Sequence, residues 1–429
     1  MNIYFIFISI FFNFINIYLV LSINLSDAIN LAIKNNLNIK IVRQNLESIT
    51  LDDYGIFMSF LPNINLNLIH KRNSLNYLKF NNVLKKNNLL QFIINKEIFI
   101  GGVKCKQILS YKSKVKIIYK EYSLIINEII YKIIKCYYTN ISLRIIVSIF
   151  KEIIQYYELL LNNIYIMINK GIMKRSFFLI EESELIQMKI EKNLLLKKQN
   201  EIEENFLYLI GIKKPLNMLD IDIIKYNIPS IRKLIYNLEK KNINLLLKRW
   251  QFNLYKNNIK IFYKKFFFPK IIIIYKYSKN YFYLKKINNN FSFYKNYELF
   301  ILFEHPLIYN NKNFLIILNE LLYKYKNSKI VYKNFKEDIY FNILKIWKNY
   351  IFNQIIYKQS LLYKDKNFLI YKLIQKDLNI NHINIINNII FFKKYNMSLI
   401  KEKQKLLELN ISFFIIYKEM GILINMFNI

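Results

Sequence analysis

The chain has 429 residues and a formal net charge of +35, from 64 Lys and Arg against 29 Asp and Glu. Such a charge usually indicates a nucleic-acid or acidic-membrane partner. Here the lysines are spread along the whole chain, together with many Ile, Asn, Phe and Tyr, and they form no single patch. We therefore interpret the charge as a compositional bias and expect no nucleic-acid partner. With only 6 Gly and 5 Pro, the chain also has few residues that interrupt helices.

The amino terminus is a long apolar run, residues 3–21, broken by one serine and two asparagines. Ser22 follows it, a small residue where a signal peptidase would cut. We interpret residues 1–22 as a signal peptide. A membrane anchor is the alternative, because the run is just long enough to span a bilayer.

The next segment predicts two helices followed by two strands. Ser26-Asp27 can cap a short helix at 28–36, and a second helix runs from Asn38 to about Ser59. After Pro62 the residues alternate strictly between Asn and Ile or Leu, which is typical of a strand with one apolar and one polar face. We predict strands at about 63–71 and 89–99, joined by a polar loop that includes Asn73-Ser74 and Asn87-Asn88.

A helical hairpin is predicted at 102–210. Glycine and proline are absent between Gly102 and Gly171 and again between Gly171 and Gly211. The first helix would span about 100 Å at 1.5 Å per residue. A helix pair of this length cannot cover its own apolar side chains, so we expect partners from elsewhere in the chain or from other subunits. The apolar stripe that defines the first helix is Ile118, Tyr122, Ile125, Ile129, Ile133 and Cys136.

The second half of the chain repeats the order of the first. Four landmarks recur at offsets of 206 to 209 residues, which indicates an internal duplication into residues 23–215 and 216–429. The pairs are Asn36 and Asn242, Arg43 and Arg249, Pro62 and Pro269, and Gly101-Gly102 and Asn310-Asn311. In the second repeat we predict strands at about 270–279 and 291–303 and a helical hairpin at 312–420, with its turn near Leu378-Asn379.

Catalytic chemistry has no support in the sequence, and we expect no enzyme activity, cofactor or metal. His70, His305 and His382 are scattered and accompany no metal or phosphate motif. Cys105 and Cys136 lie about 46 Å apart on one predicted helix and cannot pair with each other. The carboxylates of Glu181, Glu182 and Glu184 are interpreted as a solvated helix face.

The chain resembles the TolC family of outer-membrane efflux proteins over essentially its whole mature length. The matching segments are Leu25-Ser26-Asp27-Ala28-Ile29 with Ala32 to Asn36, Phe60-Leu61-Pro62, Phe99-Ile100-Gly101-Gly102, Gly171-Ile172 and Pro306-Leu307-Ile308. In the last of these junctions the family's glycines are replaced by Asn310-Asn311.

The resemblance implies a mainly α protein with a small β part, made of two repeats of helix, helix, strand, strand, long helix, helix. It implies a homotrimer in the outer membrane of a Gram-negative-type bacterium, extending into the periplasm. Each subunit would give four strands to a 12-stranded β-barrel that an α-helical barrel continues. In the first strand, Ile64, Leu66 and Leu68 would face lipid, and Asn63, Asn65 and Asn67 water. A soluble sheet packed on helices is the alternative.

The resemblance also implies sites at the helix tips. Relatives carry two acidic residues at the pore entrance, and the matching positions here are Asn384 and Asn387, with Phe177 at the equivalent position of the first hairpin. Asp377 faces the pore if the register differs. The resemblance thus predicts weaker discrimination for cations. Gly171 and Ile172 are the candidate contacts of a periplasmic adaptor protein.

The sequence therefore predicts the outer-membrane channel of a tripartite efflux or type I secretion system, a passive duct served by an adaptor and an inner-membrane transporter. A periplasmic coiled-coil adaptor is the first alternative; it would share the hairpins but lack lipid-facing strands. A basic helical protein that binds nucleic acid is the second.

Overall fold

The computed structural model describes residues 22–58, 60–77, 80–212, 217–218, 228, 230–284, 292–305, 312–377 and 385–427. All of the predicted signal peptide except Ser22 lies outside them. So do the two predicted turns of the second repeat, near Asn288 and near Leu378.

The first repeat contains strand β1, helices α1 and α2, strands β2 and β3, and helices α3 and α4. Their bounds are Ser22–Ile23, Leu25–Asn35, Leu37–Met58, Asn63–Tyr77, Phe80–Ile100, Val103–Asn169 and Arg175–Ile210. The second repeat contains strand β4, helices α5 and α6, strands β5 and β6, and helices α7, α8 and α9. Their bounds are Asn217–Met218, Ile231–Lys241, Ile243–Phe267, Lys270–Leu284, Ser292–Glu304, Lys312–Asp377, Ile385–Glu419 and Leu423–Met426.

The order of helix, helix, strand, strand, long helix and helix therefore occurs twice, in a mainly α chain with a small β part, as predicted. Both helical hairpins are present: α3 has 67 residues and α7 has 66. They run without a break because the sequence supplies neither glycine nor proline inside them.

Helix α1 begins earlier than predicted. Asn24 has extended backbone angles, φ −78° and ψ 159°, and its carbonyl accepts the first helical bond from the amide of Ala28 at 3.0 Å. Ser26 and Asp27 thus lie in the first turn and do not cap the helix. Burial explains the difference, because Leu25 belongs to the same buried face as Ala28, Ile29 and Ala32.

The strands of the first hairpin are longer than predicted. The prediction of a polar loop between them, including residues 73–74 and 87–88, is wrong. Asn73 pairs with Lys85 and Asn87 pairs with Lys71, so both segments belong to β2 and β3. Only residues 78–79 lie between the two strands. Antiparallel pairing uses backbone groups, so it continues through polar residues once the apolar part has set the register.

The larger sheet is antiparallel, with the order β2, β3, β5, β6. The register places Asn63 opposite Asn95, Ile100 opposite Lys270, and Lys270 opposite Glu304. All four strands therefore meet the helices at the same end of the sheet. A second, parallel sheet that the sequence did not predict joins β1 to β4, with Ser22 opposite Asn217.

Contacts divide the chain into two compact units, and each contains segments from both repeats. The first unit holds residues 1–43, 120–246 and 335–429, and the second holds 44–119 and 247–334.

The core of the first unit is built on α3. Ile130, Ile133 and Tyr137 are fully buried, and the Tyr137 hydroxyl donates to the carbonyl oxygen of Ile23 at 3.0 Å. The predicted stripe supplies part of this core through Ile129 and Ile133. The buried surface of α3 is wider than this one stripe. The reason is that α3 packs against several neighbours, as the contacts of Tyr137 show.

In the second unit, α2, α3, α6 and α7 contact one another at the end of the sheet where the strands meet the helices. The Tyr111 hydroxyl donates to the carbonyl oxygen of Ile49 at 2.6 Å, and the Ser110 hydroxyl lies 2.8 Å from the Asn258 side-chain oxygen. Phe262 and Phe314 stack with ring centroids 5.1 Å apart. These contacts join each long helix to the shorter helices that lead into the strands.

Candidate functional site

The four-stranded sheet has one apolar face. Because directly opposed residues point to the same side, the register assigns the side chains to faces without ambiguity. Leu66 lies opposite Phe92, Phe92 opposite Tyr277, and Tyr277 opposite Tyr297. The same face carries Ile64, Leu68, Leu90, Ile94, Ile271, Ile273, Tyr275, Leu299, Ile301 and Phe303.

This apolar face is exposed. Leu68 is 74% exposed, Ile301 68% and Phe303 67%. Soluble monomers rarely expose an apolar patch this wide, so the face requires lipid or a partner to cover it. The predicted alternation of the first strand is confirmed, with Ile64, Leu66 and Leu68 on this face and the asparagines between them on the other.

The opposite face carries most of the polar side chains of the sheet, and we call it the polar face. Asn63, Asn65 and Asn67 lie on it in β2, and Lys276 of β5 forms an ion pair of 3.6 Å with Glu298 of β6. It also carries apolar side chains, which are Ile93, Ile272, Ile274, Phe300 and Leu302. Cross-strand ion pairs of this kind suit a surface in contact with water. The sheet thus has one apolar face and one mostly polar face.

Both edges of the sheet are open among the described strands. Strand β2 pairs only with β3, and β6 pairs only with β5. Each edge presents a row of backbone donors and acceptors, which a further strand can use. An apolar face and two open edges on one sheet are the features that soluble proteins avoid.

The turn of the first helical hairpin is exposed. The Gly171 amide bonds the carbonyl oxygen of Ile168 at 2.9 Å, and the Ile172 amide bonds that of Met167 at 2.9 Å. These two bonds end α3 in a Schellman motif, with Gly171 at φ +73°. Ile172 is 68% exposed, so the adaptor-contact candidates Gly171 and Ile172 lie on the surface.

The structure describes three of the four other residues predicted at the helix tips. Phe177 lies in the first turn of α4, half-buried, and packs against the buried cluster that α3, α4 and α8 form. Asp377 is the last residue of α7, and Asn387 lies in the first turn of α8. Asn384 is outside the described residues. The role of these four residues at a pore entrance stays a prediction.

A polar cluster that the sequence did not reveal joins the two hairpins inside the first unit. The Asn388 amide donates to the Tyr156 hydroxyl at 3.0 Å, which links α8 to α3. Lys393 of α8 forms an ion pair with Glu184 of α4. Aromatic contacts surround this cluster, including Tyr156 and Phe392 with ring centroids 4.0 Å apart.

Glu181 belongs to the same cluster, and its interpretation as part of a solvated face is wrong. It is 9% exposed, and its Oε2 has no hydrogen-bond partner. Its spacing with Leu185 and Met188 places it on the buried face of α4. Burial raises the pKa of the Glu181 carboxyl, and the neighbouring Glu184 carboxylate adds to the effect while Lys393 opposes it.

The same surroundings raise the pKa values of two tyrosines of α3. Burial raises the pKa of Tyr156 to about 12. Burial also raises the pKa of Tyr157, with Glu181 and Glu184 adding to the shift, and its hydroxyl has no hydrogen-bond partner. The cluster therefore contains buried polar groups that are only partly satisfied, which makes the packing between these helices costly at neutral pH.

Among the described residues, one helix is apolar enough to cross a membrane by length and composition alone. It is α3, where an 18-residue window has a mean hydropathy of 1.3. Of this window, 67% is buried inside the structure, as expected of a core helix. No group of three or more His, Cys, Asp or Glu side chains that could hold a metal occurs in the described segments.

No protein-family model and no curated protein matches the sequence. Solved structures do match. A membrane protein from Pseudomonas aeruginosa superposes with a TM-score of 0.77 at 9% identity, over 94% of this chain and 91% of its own. The CmeC outer membrane channel of Campylobacter jejuni gives 0.76 at 12% identity, over 92% and 85%. The open state of the MtrE outer membrane channel of Neisseria gonorrhoeae gives 0.72 at 12% identity, over 92% and 88%.

These matches cover at least 92% of this chain and at least 85% of each matched chain, so the likeness is one of the overall fold and not of a single segment. The chain has the fold of the TolC-like outer-membrane channels, a helical part joined to a small antiparallel sheet. The resemblance stated from the sequence is confirmed at the level of fold.

Proposed function

We propose that the chain is a passive export channel of the outer membrane that continues into the periplasm. The observation that carries this proposal is the four-stranded sheet, which is apolar on one face and mostly polar on the other, open at both edges and joined directly to long helices. In a membrane every backbone polar group needs a partner, so such a sheet is stable there only if its edges close.

Closure requires other copies of the chain. Strand β6 of one copy would pair with β2 of the next, and three copies, the number that the resemblance implies, would form a 12-stranded barrel. The apolar face would then meet lipid, and the polar face with Lys276 and Glu298 would line the lumen.

Exposed stripes on the helices support an assembly of copies. On α4 the stripe is Leu179, Ile186, Ile190 and Leu194, whose side chains are 52% to 61% exposed. The spacing of seven and four residues places them on one side of the helix. On α7 the exposed side chains include Phe352, Ile355, Leu362, Leu369 and Leu373. A neighbouring copy that packs on these stripes would form the helical barrel.

Export through this channel would depend on other proteins for energy and cargo. We propose an inner-membrane transporter and a periplasmic adaptor as partners, with the exposed turn at Gly171 and Ile172 as the adaptor contact. The pore entrance would lie at the hairpin tips, near Phe177, Asp377 and Asn387. Asparagine at 384 and 387 would give weaker discrimination for cations than acidic residues.

The function proposed here is transport and not catalysis. The solved structures named above with a stated function are channels. The alternative of a periplasmic adaptor is not favoured, because an adaptor has no use for a sheet with an exposed apolar face.

The test combines location, mass and conductance. The full chain, expressed with its leader in a Gram-negative host, should fractionate with the outer membrane and elute in neutral detergent at the mass of three copies. In planar bilayers the purified protein should produce discrete conductance steps. Recovery as a soluble monomer, or on nucleic acid, would contradict the proposal.

A further inference from the structure

Exposed aromatic side chains gather at the end of the sheet where strands meet helices. We call Phe60, Phe99, Tyr263, Phe267 and Phe268 the junction patch; their exposed fractions are 39%, 42%, 39%, 58% and 46%. The junctions approach closely, since a Cβ on Gly101 would lie 2.8 Å from the carbonyl oxygen of Lys264. Phe99 lies opposite Ile271 on the apolar face, so the junction patch adjoins that face within the second unit.

Two lysines lie against this patch. The Lys104 ammonium is 5.3 Å from the centroid of the Phe60 ring, and the Lys264 ammonium is 5.9 Å from that of Phe268. Both distances fall within the range of cation–π contact. Each lysine thus holds its charge against an aromatic ring of the patch, next to the apolar surface, and lysines placed in this way are typical of membrane interfaces.

The charge balance at the patch is positive. Glu97 is engaged by Lys104 at 3.8 Å, and Glu304 lies opposite Lys270 in the register. Lys264 and the exposed Lys265 form no ion pair with a carboxylate in the part of the chain described here. Lys264, which lies against the Phe268 ring, and its exposed neighbour Lys265 are therefore available to an anion outside the protein.

We propose that the junction patch, with Lys104, Lys264 and Lys265, binds the phosphate headgroups of anionic phospholipids at the periplasmic surface of the membrane. This inference rests on the proposed membrane function. The occupant is a lipid and not a soluble anion, because the patch continues into the exposed apolar face through Phe303 and Ile64, and only a lipid supplies a phosphate beside an apolar chain.

The test measures lipid retention by native mass spectrometry on the assembled protein in neutral detergent. The probes are phosphatidylglycerol and phosphatidylcholine, added separately at equal concentration. We expect preferential retention of phosphatidylglycerol, and a loss of about fivefold per lysine in the double variant Lys264→Gln with Lys265→Gln. The arginine variants Lys264→Arg with Lys265→Arg should keep the preference, because the charge remains.

The matched control is Lys197→Gln with Lys198→Gln, two exposed lysines on α4, which should leave lipid retention unchanged. Equal retention of both lipids by the native protein would overturn the inference, as would an unchanged preference in the double glutamine variant. Displacement of phosphatidylglycerol by inorganic phosphate at constant ionic strength would also overturn it, since it would indicate a plain anion site.

The proposed membrane function has a separate readout in flotation with vesicles of pure phosphatidylcholine. Failure to float would contradict that function. Flotation without a preference for phosphatidylglycerol would contradict only the lipid inference.

Discussion

The side-chain amide of Asn36 donates a hydrogen bond of 2.9 Å to the carbonyl oxygen of Leu209, 173 residues later in the chain. Its side-chain oxygen accepts the amide of Asn38 at 3.0 Å. Asn242 makes a similar pair of contacts, donating to the carbonyl oxygen of Glu419 and accepting the amide of Leu245, three residues later, at 2.8 Å. In each repeat one asparagine therefore ties the break between the two short helices to the end of the return helix.

Replacing either asparagine with alanine should destabilise the first unit by about 1 to 3 kcal/mol, because the buried amide and carbonyl groups it satisfies lose their partners. The measurement is urea unfolding of the purified protein. Asn38→Ala is the matched control, since its side chain is exposed, and it should change stability little. An equal loss in Asn36→Ala and Asn38→Ala would contradict the role given to Asn36.

Gly421→Ala should cost more stability than Gly171→Ala. Both glycines have positive φ, +68° and +73°, so alanine strains the backbone by about 1 to 2 kcal/mol at each. At Gly421 the added methyl would also meet the carbonyl oxygen of Lys241 at 2.8 Å, whereas at Gly171 it meets nothing within 4 Å. Thermal unfolding of the two variants measures the difference, and equal losses would show that the close approach is relieved by a shift.

Leu66→Lys should impair membrane assembly, and Asn67→Lys should not. Leu66 lies on the apolar face, where a lysine near the middle of a bilayer costs about 2 to 4 kcal/mol. Asn67 lies on the polar face of the same strand and serves as the matched control. The yield of assembled protein in the outer-membrane fraction is the readout. If both variants assemble equally, the apolar face does not meet lipid.

The ion pair between Glu184 and Lys393 should help to hold the two hairpins together. Each side chain is about one-third exposed. Screening by solvent therefore limits the contribution of the ion pair to stability to about 0.5 to 1 kcal/mol. We expect Glu184→Lys to raise the open probability of single channels in planar bilayers, because like charges then face each other. The exchange of Glu184→Lys with Lys393→Glu should restore it; an unrestored double variant would argue against the pair.

Stability should fall as the pH rises above the ordinary carboxyl pKa of 4.5, because of Glu181. Burial raises the pKa of this group in the folded chain, so the folded state binds the proton more tightly than the unfolded state. The contribution is therefore fully present below the unfolded pKa and is lost as the pH rises through the folded pKa. Urea unfolding across this pH window measures the slope.

Glu181→Gln should flatten that slope and stabilise the protein at neutral pH, because the buried negative charge is removed. The control is Glu201→Gln, an exposed residue of the same helix, which should leave the slope as it is. A slope that is the same in the native protein and in Glu181→Gln would assign the pH dependence to another group.

Much of this fold is determined by the sequence through local rules. The absence of glycine and proline within α3 and α7 permits two unbroken helices, and Pro62 and Pro269 lie directly before β2 and β5, where no helix can continue. The alternation after Pro62 correctly assigns Ile64 and Leu66 to the apolar face. These features depend on neighbours a few residues away, which a sequence shows directly.

Tertiary structure alone decided the rest. The pairing of β1 with β4 and the bond from Asn36 to Leu209 join residues more than 170 positions apart, which no local pattern specifies. Glu181 has the sequence surroundings of a solvated residue, yet packing next to Tyr157 of α3 and Lys393 of α8 buries it. Burial is a property of what packs against a side chain, and so the polar cluster between the hairpins became visible only in the folded chain.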